Sequence, residues 1–169
     1  GQRRARDLSQ SLTGIFNEQA MFFVSKVHTG VNETKITAFR GDVAGKNCVV
    51  TDDMVDGGGT MLNTARFLKE SGAVSVTCCL THAILTDGKI PALEKLLTAK
   101  TADGRFAIDR LVMTDAIPEV AEKIKVFAAA HPDLCGKITV LPLGPTILRA
   151  VQNTPESGVA ASPALKVCS

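Results

Sequence analysis

Residues 48–60 read CVVTDDMVDGGGT, and this stretch decides the fold. An apolar, β-rich run passes directly into paired acids, then into three glycines and Thr60, where a helical pattern of apolar residues begins. A short apolar run bounded by turn residues is typical of a buried parallel strand. The stretch therefore predicts a strand, a glycine turn and a helix, which together form the first half of a βαβ unit.

The same alternation of apolar runs and helix-period segments continues in both directions along the chain. Strands are predicted at residues 20–27, 36–40, 47–51, 74–80, 110–114 and 137–141. Helices are predicted at residues 4–12, 60–70, 91–100, 118–130 and 145–153. The polar residues 28–35 are predicted to form an exposed loop. Strands alternating with helices indicate a parallel sheet, so the predicted class is α/β, a three-layer fold with a mostly parallel sheet and helices on both faces.

The composition excludes several classes of protein. The chain has 169 residues, of which 45% are hydrophobic and 21% charged, and this fits one folded domain rather than a disordered chain. Its apolar runs are far shorter than the roughly 20 residues that a membrane span needs. Nineteen Lys and Arg against seventeen Asp and Glu give a net charge of +2, which is too balanced for a protein that coats nucleic acid. We therefore expect no nucleic-acid or membrane partner.

The five cysteines lack the spacing of a zinc site or a disulfide framework. Cys78 and Cys79 are adjacent within an apolar run, and Cys48 opens another. We interpret them as buried, reduced thiols, which are typical of a cytoplasmic protein. Residues 1–12 are basic but lack the apolar core of a signal peptide, so the predicted location is the cytoplasm.

The glycine turn has the chemistry of a phosphate-binding loop. Glycines at 57–59 remove side chains and allow left-handed backbone, so that backbone N–H groups can close around an anion. Thr60 is predicted to cap the following helix, whose N-terminal dipole favours a phosphate. Asp52 and Asp53 would repel that phosphate, but they can accept hydrogen bonds from sugar hydroxyls or face a metal. A sugar phosphate satisfies both halves of the pattern.

Plainer interpretations compete at three places. The glycine turn could be only a tight strand–helix connection, although its three glycines and three nearby acids would then cost stability. Residues 41–47, GDVAGKN, resemble a nucleotide-binding glycine loop, but they have three residues between the glycines instead of four and precede a strand, so they are predicted to form a β-turn. Asp115, at a predicted strand end, could flank the same crevice or cap a helix.

The stretch VVTDDMVDGGGT at 49–60 closely resembles the ribose-phosphate-binding loop of the type I phosphoribosyltransferase fold. Within that fold it looks most like the ribose-phosphate pyrophosphokinase (phosphoribosyl pyrophosphate synthetase) family. The segments LKESGAVSV, LTHAIL, LVMTDAIP and KITVLPLGPTILRAVQNT follow in that family's order. The resemblance identifies residues 1–153 as a phosphoribosyltransferase-like C-terminal domain of a two-domain enzyme and residues 154–169 as a tail.

The resemblance implies a transferase of nucleotide biosynthesis, a ribose-phosphate diphosphokinase. Such an enzyme transfers pyrophosphate from ATP, with Mg²⁺, to ribose 5-phosphate and gives phosphoribosyl pyrophosphate and AMP. An N-terminal half would supply most ATP contacts and Mg²⁺ ligands, so this chain alone is expected to be inactive and holds no certain metal ligand. Family members form homo-oligomers, either dimers or hexamers, and the same is expected here.

The resemblance also assigns roles to individual residues. Asp52 and Asp53 would bind the ribose hydroxyls. The loop that would enclose the 5-phosphate consists of Asp56, Gly57, Gly58, Gly59 and Thr60. Lys26 matches the lysine of the family's flexible catalytic loop, in which basic residues stabilise charge on the transferring pyrophosphoryl group.

Two positions depart from the family pattern. His28, in the catalytic segment with Lys26, stands where the family usually has arginine, and Gly57 stands where it commonly has threonine. Arginine is always charged, whereas histidine is mostly neutral near pH 7. Two alternatives therefore stay open beside the enzyme: a non-catalytic regulatory paralogue that binds the same ligands, and a phosphoribosyltransferase that consumes phosphoribosyl pyrophosphate.

Overall fold

The computed structural model describes residues 7, 10–11, 23–30, 33–40, 42–85 and 91–152, with backbone only for 23–30 and 33–40. The strands in these ranges are β1 (Phe23–Gly30), β2 (Glu33–Arg40), β3 (Asn47–Val55), β4 (Ser75–Ala83), β5 (Arg110–Thr114) and β6 (Ile138–Leu141). The helices are α1 (Gly59–Glu70), α2 (Pro91–Thr98), α3 (Glu119–Ala130) and α4 (Leu143–Gln152), with a 3₁₀ turn at Cys135–Lys137. The predicted tail, 154–169, lies outside the described residues.

Four strands form a parallel sheet in the order β3–β4–β5–β6, with one helix between each strand and the next. The register places Val50 beside Cys78, and Cys78 beside Leu111. Parallel neighbours require crossover connections, and the helices supply them. The predicted parallel α/β class is confirmed.

The core lies on one face of this sheet. Alternate residues of the central strands are buried, as the period of two along a strand requires. The buried residues on β4 and β5 are Val76, Cys78, Leu80, Leu111 and Met113. Helices cover them with Leu62, Ala65, Leu68, Leu93, Leu96, Leu97, Val120 and Phe127. The apolar residues of the predicted helix 60–70 thus form the face that packs.

The predicted loop at residues 28–35 is wrong. β1 and β2 instead form a separate two-stranded antiparallel sheet, in which His28 pairs with Thr34. Antiparallel pairing satisfies backbone N–H and C=O groups whatever the polarity of the side chains. β-branched residues such as Val27 and Thr29 also favour extended backbone. Polarity alone therefore misled the sequence-based prediction.

Other boundaries moved by a few residues. β3 continues to Val55 rather than Thr51, so the two aspartates lie within the strand instead of after it. The predicted strand at 110–114 is confirmed. The predicted β-turn before β3 is also confirmed, since the Lys46 amide donates to the Val43 carbonyl at 3.1 Å and Gly45 has φ of 70°.

The thiols match their predicted state where the structure describes them. Cys48 and Cys78 are buried and unpaired, while Cys79 and Cys135 are half-buried and also free. Burial raises the pKa of the Cys78 thiol, and burial likewise raises the pKa of Cys48 and of Cys79. These three sulfurs therefore stay protonated near neutral pH. Within the described ranges, no helix has the length and apolarity needed to cross a membrane.

The last helix, α4, lies outside the core. None of its residues is buried, and Ile147, Leu148 and Val151 are 56%, 57% and 67% exposed. Asp115 joins it to the sheet, because its Oδ1 accepts a hydrogen bond at 2.7 Å from the Leu143 amide at the start of the helix. The helix-capping role of Asp115 is thus the one that the structure supports.

An ion pair between a buried lysine and a half-buried aspartate ties α1 to the sheet. Lys69 is 2% exposed, and its Nζ lies 2.7 Å from Oδ2 of Asp109 and donates to the Val74 carbonyl at 2.8 Å. The same Asp109 oxygen accepts the Val76 amide at 2.7 Å. Asp109 therefore joins the end of α1 to the starts of β4 and β5.

We expect Asp109→Ala to lower the free energy of unfolding by about 3 kcal/mol, because it leaves a buried ammonium unpaired. Lys69→Met in the same background should recover part of this loss, since no buried charge then remains. Urea denaturation measures both changes. Asp133→Ala, at an exposed position, is the control. Wild-type stability in Asp109→Ala would contradict the role assigned to the pair.

Candidate functional site

A cavity of about 450 Å³ lies where β3 ends and α1 begins. Its lining comes from the end of β3, the glycine turn, the first turn of α1 and one side of α2. The lining residues are Asp52, Met54, Val55, Asp56, Gly57, Gly58, Gly59, Thr60, Met61, Ala92 and Lys95. Carboxyl ends of parallel strands are where open α/β sheets bind ligands. The stretch that predicted the fold thus also forms most of this cavity.

Gly58 fixes the shape of the turn. It is buried and left-handed, with φ of 69° and ψ of −2°. A Cβ at this position would lie 2.9 Å from the side chain of Leu96 on α2. Both the backbone conformation and the close approach of α2 therefore require glycine. Gly57 differs, because a Cβ there would meet no atom within 4 Å, so a larger side chain fits.

The helix start differs by one residue from the prediction. α1 begins at Gly59 with Gly58 as its N-cap, and the Leu62 amide donates to the Gly58 carbonyl at 3.0 Å. Thr60 is therefore not the cap, because it already lies in the first helical turn. That turn still lines the cavity, and first-turn amides have no carbonyl acceptor within their own helix. These amides and the helix dipole favour an anion in the cavity.

The strand separates the paired aspartates. Asp52 lines the cavity, whereas Asp53 does not, because successive side chains of a strand point to opposite faces. Oδ1 of Asp52 also accepts a hydrogen bond from the Asp53 amide at 3.0 Å, which restrains the carboxylate. Asp56 contributes a second, exposed carboxylate at the turn. The cavity therefore combines hydrogen-bond acceptors for hydroxyls with donors for an anion.

The structure adds Lys95, a residue that the sequence analysis did not select. Lys95 and Ala92 are three residues apart on α2, hence on one helical face, and both line the cavity. The packing of Leu96 against Gly58 brings α2 to the turn. No local sequence motif predicts this contact, since more than 30 residues separate Lys95 from Gly58.

The predicted catalytic residues lie on the two-stranded sheet. Lys26 pairs with Ile36 and His28 with Thr34, and the register shifts beside each of them. The structure describes only their backbone, so a role for either side chain stays a prediction. Lys26 lies on a strand, as predicted, whereas His28 lies within β1 rather than in the predicted loop.

The chain is similar to known proteins over most of its length. The family model described as phosphoribosyl transferase domain matches residues 1–101. The ribose-phosphate pyrophosphokinase of Corynebacterium efficiens is 31% identical over 153 residues, which cover 89% of this chain and 41% of that protein. The ribose-phosphate pyrophosphokinase of Hyphomonas neptunium is 32% identical over 149 residues, which cover 88% of this chain and 40% of that protein.

A solved structure is similar as well. The crystal structure of phosphoribosylpyrophosphate synthetase from Mycobacterium smegmatis matches with a TM-score of 0.60 and 26% identity, covering 89% of this chain and 40% of that one. The chain thus spans about two fifths of the length of these relatives.

Replacement of Gly58 by alanine should destabilise the protein by about 2–4 kcal/mol, because left-handed alanine is strained and its Cβ displaces Leu96. Gly57→Ala is the matched control, since its Cβ enters open space. Thermal and urea denaturation of the two variants give the comparison. Equal stability of Gly58→Ala and Gly57→Ala would contradict the tight packing of α2 on the turn.

Proposed function

Because the chain belongs to the phosphoribosyl transferase domain family, we propose that it is the ribose 5-phosphate-binding domain of a ribose-phosphate diphosphokinase. The full enzyme would transfer pyrophosphate from ATP to the 1-hydroxyl of ribose 5-phosphate and release AMP. The cavity carries the proposal, because its glycine turn, helix N-terminus and carboxylates suit the two ends of a sugar phosphate. Relatives named ribose-phosphate pyrophosphokinase support it.

The turn and the strand end would divide the substrate between them. The segment 57–60 would receive the 5-phosphate through backbone amides, aided by the N-terminal dipole of α1. Asp52 would accept hydrogen bonds from the ribose hydroxyls at the other end of the cavity. Asp53, which lies outside the lining, is proposed to assist indirectly through the amide that restrains the Asp52 carboxylate, and Asp56 is proposed to flank the phosphate. Two-point attachment would hold the 1-hydroxyl in one orientation, which is the main contribution that a binding domain can make to the reaction rate.

Lys26 is proposed to act on the group that moves. Its ammonium would stabilise the negative charge that develops on the pyrophosphoryl group during transfer. His28 would make a weaker contribution than the arginine usual in the family, because it carries a full charge only when protonated. The β1–β2 pair, on which both residues lie, would have to reach the 1-hydroxyl in the assembled active site.

Mg²⁺ and ATP are proposed as the other participants. Mg²⁺ often binds through one or two carboxylates together with substrate phosphates, and the carboxylates of Asp52 and Asp56 fit that chemistry. In the part of the chain that the structure describes, no group of three or more His, Cys, Asp or Glu side chains could hold a metal ion. Asp52 and Asp56 are proposed to contact a Mg²⁺ ion bound to ATP, and that ion would neutralise phosphate charge.

The organisation of the protein is proposed on the same basis. Residues 1–153 would form the C-terminal domain, and a partner domain would supply most ATP contacts, consistent with the two-fifths share of its relatives that the chain spans. We also propose a cytoplasmic location and self-association into dimers or hexamers.

Isothermal calorimetry should detect weak binding of ribose 5-phosphate to this chain, and a coupled AMP assay should detect no turnover. Asp52→Ala should bind at least tenfold more weakly, because the lost acceptor served a buried hydroxyl. Asp133→Ala is the control at an exposed position away from the cavity lining. Equal heats from Asp52→Ala and wild type would count against the proposed site.

A regulatory paralogue is the second candidate, and His28 together with Gly57 favours it. In that case the longer protein would form little AMP from ATP and ribose 5-phosphate, and His28→Arg would raise the rate sharply. Gly57→Thr, which fits the open space at Gly57, would raise the affinity for ribose 5-phosphate. A wild-type protein that is already active would exclude this candidate. Release of pyrophosphate that depends on an added base would instead indicate a phosphoribosyltransferase.

A further inference from the structure

We propose that Lys95 determines the preference of the cavity for a doubly charged phosphate, by placing its ammonium beside the group that the glycine turn holds. The inference rests on the proposed function and extends it, because it assigns a binding role to a residue outside the turn. Lys95 would make a charge-assisted hydrogen bond to the phosphate oxygens, and the backbone amides would fix the orientation of the phosphate.

Packing puts Lys95 at the cavity. Leu96, the next residue, is completely buried, and its side chain fills the space where a Gly58 Cβ would lie. Ala92, one turn earlier on α2, is also buried and lines the cavity. α2 is therefore fixed directly against the glycine turn. Lys95 itself is exposed and also lines the cavity, so its ammonium is accessible to a bound ligand.

The charges of the cavity lining favour a cation near a bound phosphate. Among the described lining residues, the carboxylates of Asp52 and Asp56 are negative, and Lys95 is the one positive side chain. The two carboxylates would repel a phosphate dianion, and this repulsion opposes the attraction of the helix dipole, which contributes about 0.3–1 kcal/mol at an exposed site. The positive charge of a lysine ammonium beside the turn would offset the repulsion between these carboxylates and the phosphate.

The ammonium of Lys95 is also available to a ligand. The structure gives it no hydrogen bond or ion pair with any described residue, whereas its neighbour Glu94 lies 3.6 Å from Nε2 of His131. Lys137, by contrast, is engaged, since its Nζ lies 3.6 Å from the centre of the Phe106 ring and donates to the Leu97 carbonyl. The ammonium of Lys95 can therefore pair with a ligand without breaking an existing contact.

The test measures ribose 5-phosphate binding by calorimetry at several NaCl concentrations between low and physiological ionic strength. Lys95→Met should weaken binding about tenfold at low salt, and its affinity should depend less on salt than that of the wild type. Lys95→Arg keeps the charge and should bind within about threefold of wild type. Lys125→Met removes an exposed lysine of α3 that pairs with Glu122, and it should change neither quantity.

Each other outcome overturns the inference in a recognisable way. Wild-type affinity and salt dependence in Lys95→Met would exclude a role for the charge, while the proposed function would stand. Weaker binding with an unchanged salt dependence, or an equal loss in Lys95→Arg, would indicate a structural role. Absence of binding by the wild-type chain would overturn the proposed function itself, and this inference with it.

Discussion

The contact between Gly58 and Leu96 constrains everything else at the cavity. A left-handed glycine lets the chain pass from β3 into α1 within three residues, and the missing side chain lets α2 pack on the turn. The same close approach places the first-turn amides of α1 and the side chain of Lys95 on one opening. The packing of the core and the chemistry of the cavity thus both depend on the absence of a Cβ at Gly58.

The cavity joins two opposed electrostatic environments. Its lining offers helix amides and a lysine, which favour an anion, together with the carboxylates of Asp52 and Asp56, which accept hydrogen bonds. A ligand that was only anionic would be repelled by the carboxylates, and a neutral sugar would leave the amides without a partner. The two sets of groups therefore select together for a ligand that satisfies both, which makes the pair more specific than either alone.

Sequence reasoning succeeded where the information was local. The strand–glycine–helix stretch was identified from its own residues, because apolar runs, acids and glycines each have a direct physical meaning. It failed where the outcome depended on tertiary contacts. Asp52 and Asp53 looked equivalent until the length of β3 placed only one in the cavity. The packing of α2 brings Lys95 to the cavity, and residues 28–30 and 33–35 form strands because their backbones pair with each other.

The placement of α4 has a consequence for the dynamics of the chain. A helix with no buried residue gains little from tertiary packing, and a capping hydrogen bond from the Leu143 amide to Asp115 links this helix to the sheet. Such elements open locally at a free energy well below that of global unfolding. The amide protons of α4 would therefore exchange with solvent much faster than those of β4. Proteases would also cleave the chain within α4 before they cleave it within the core.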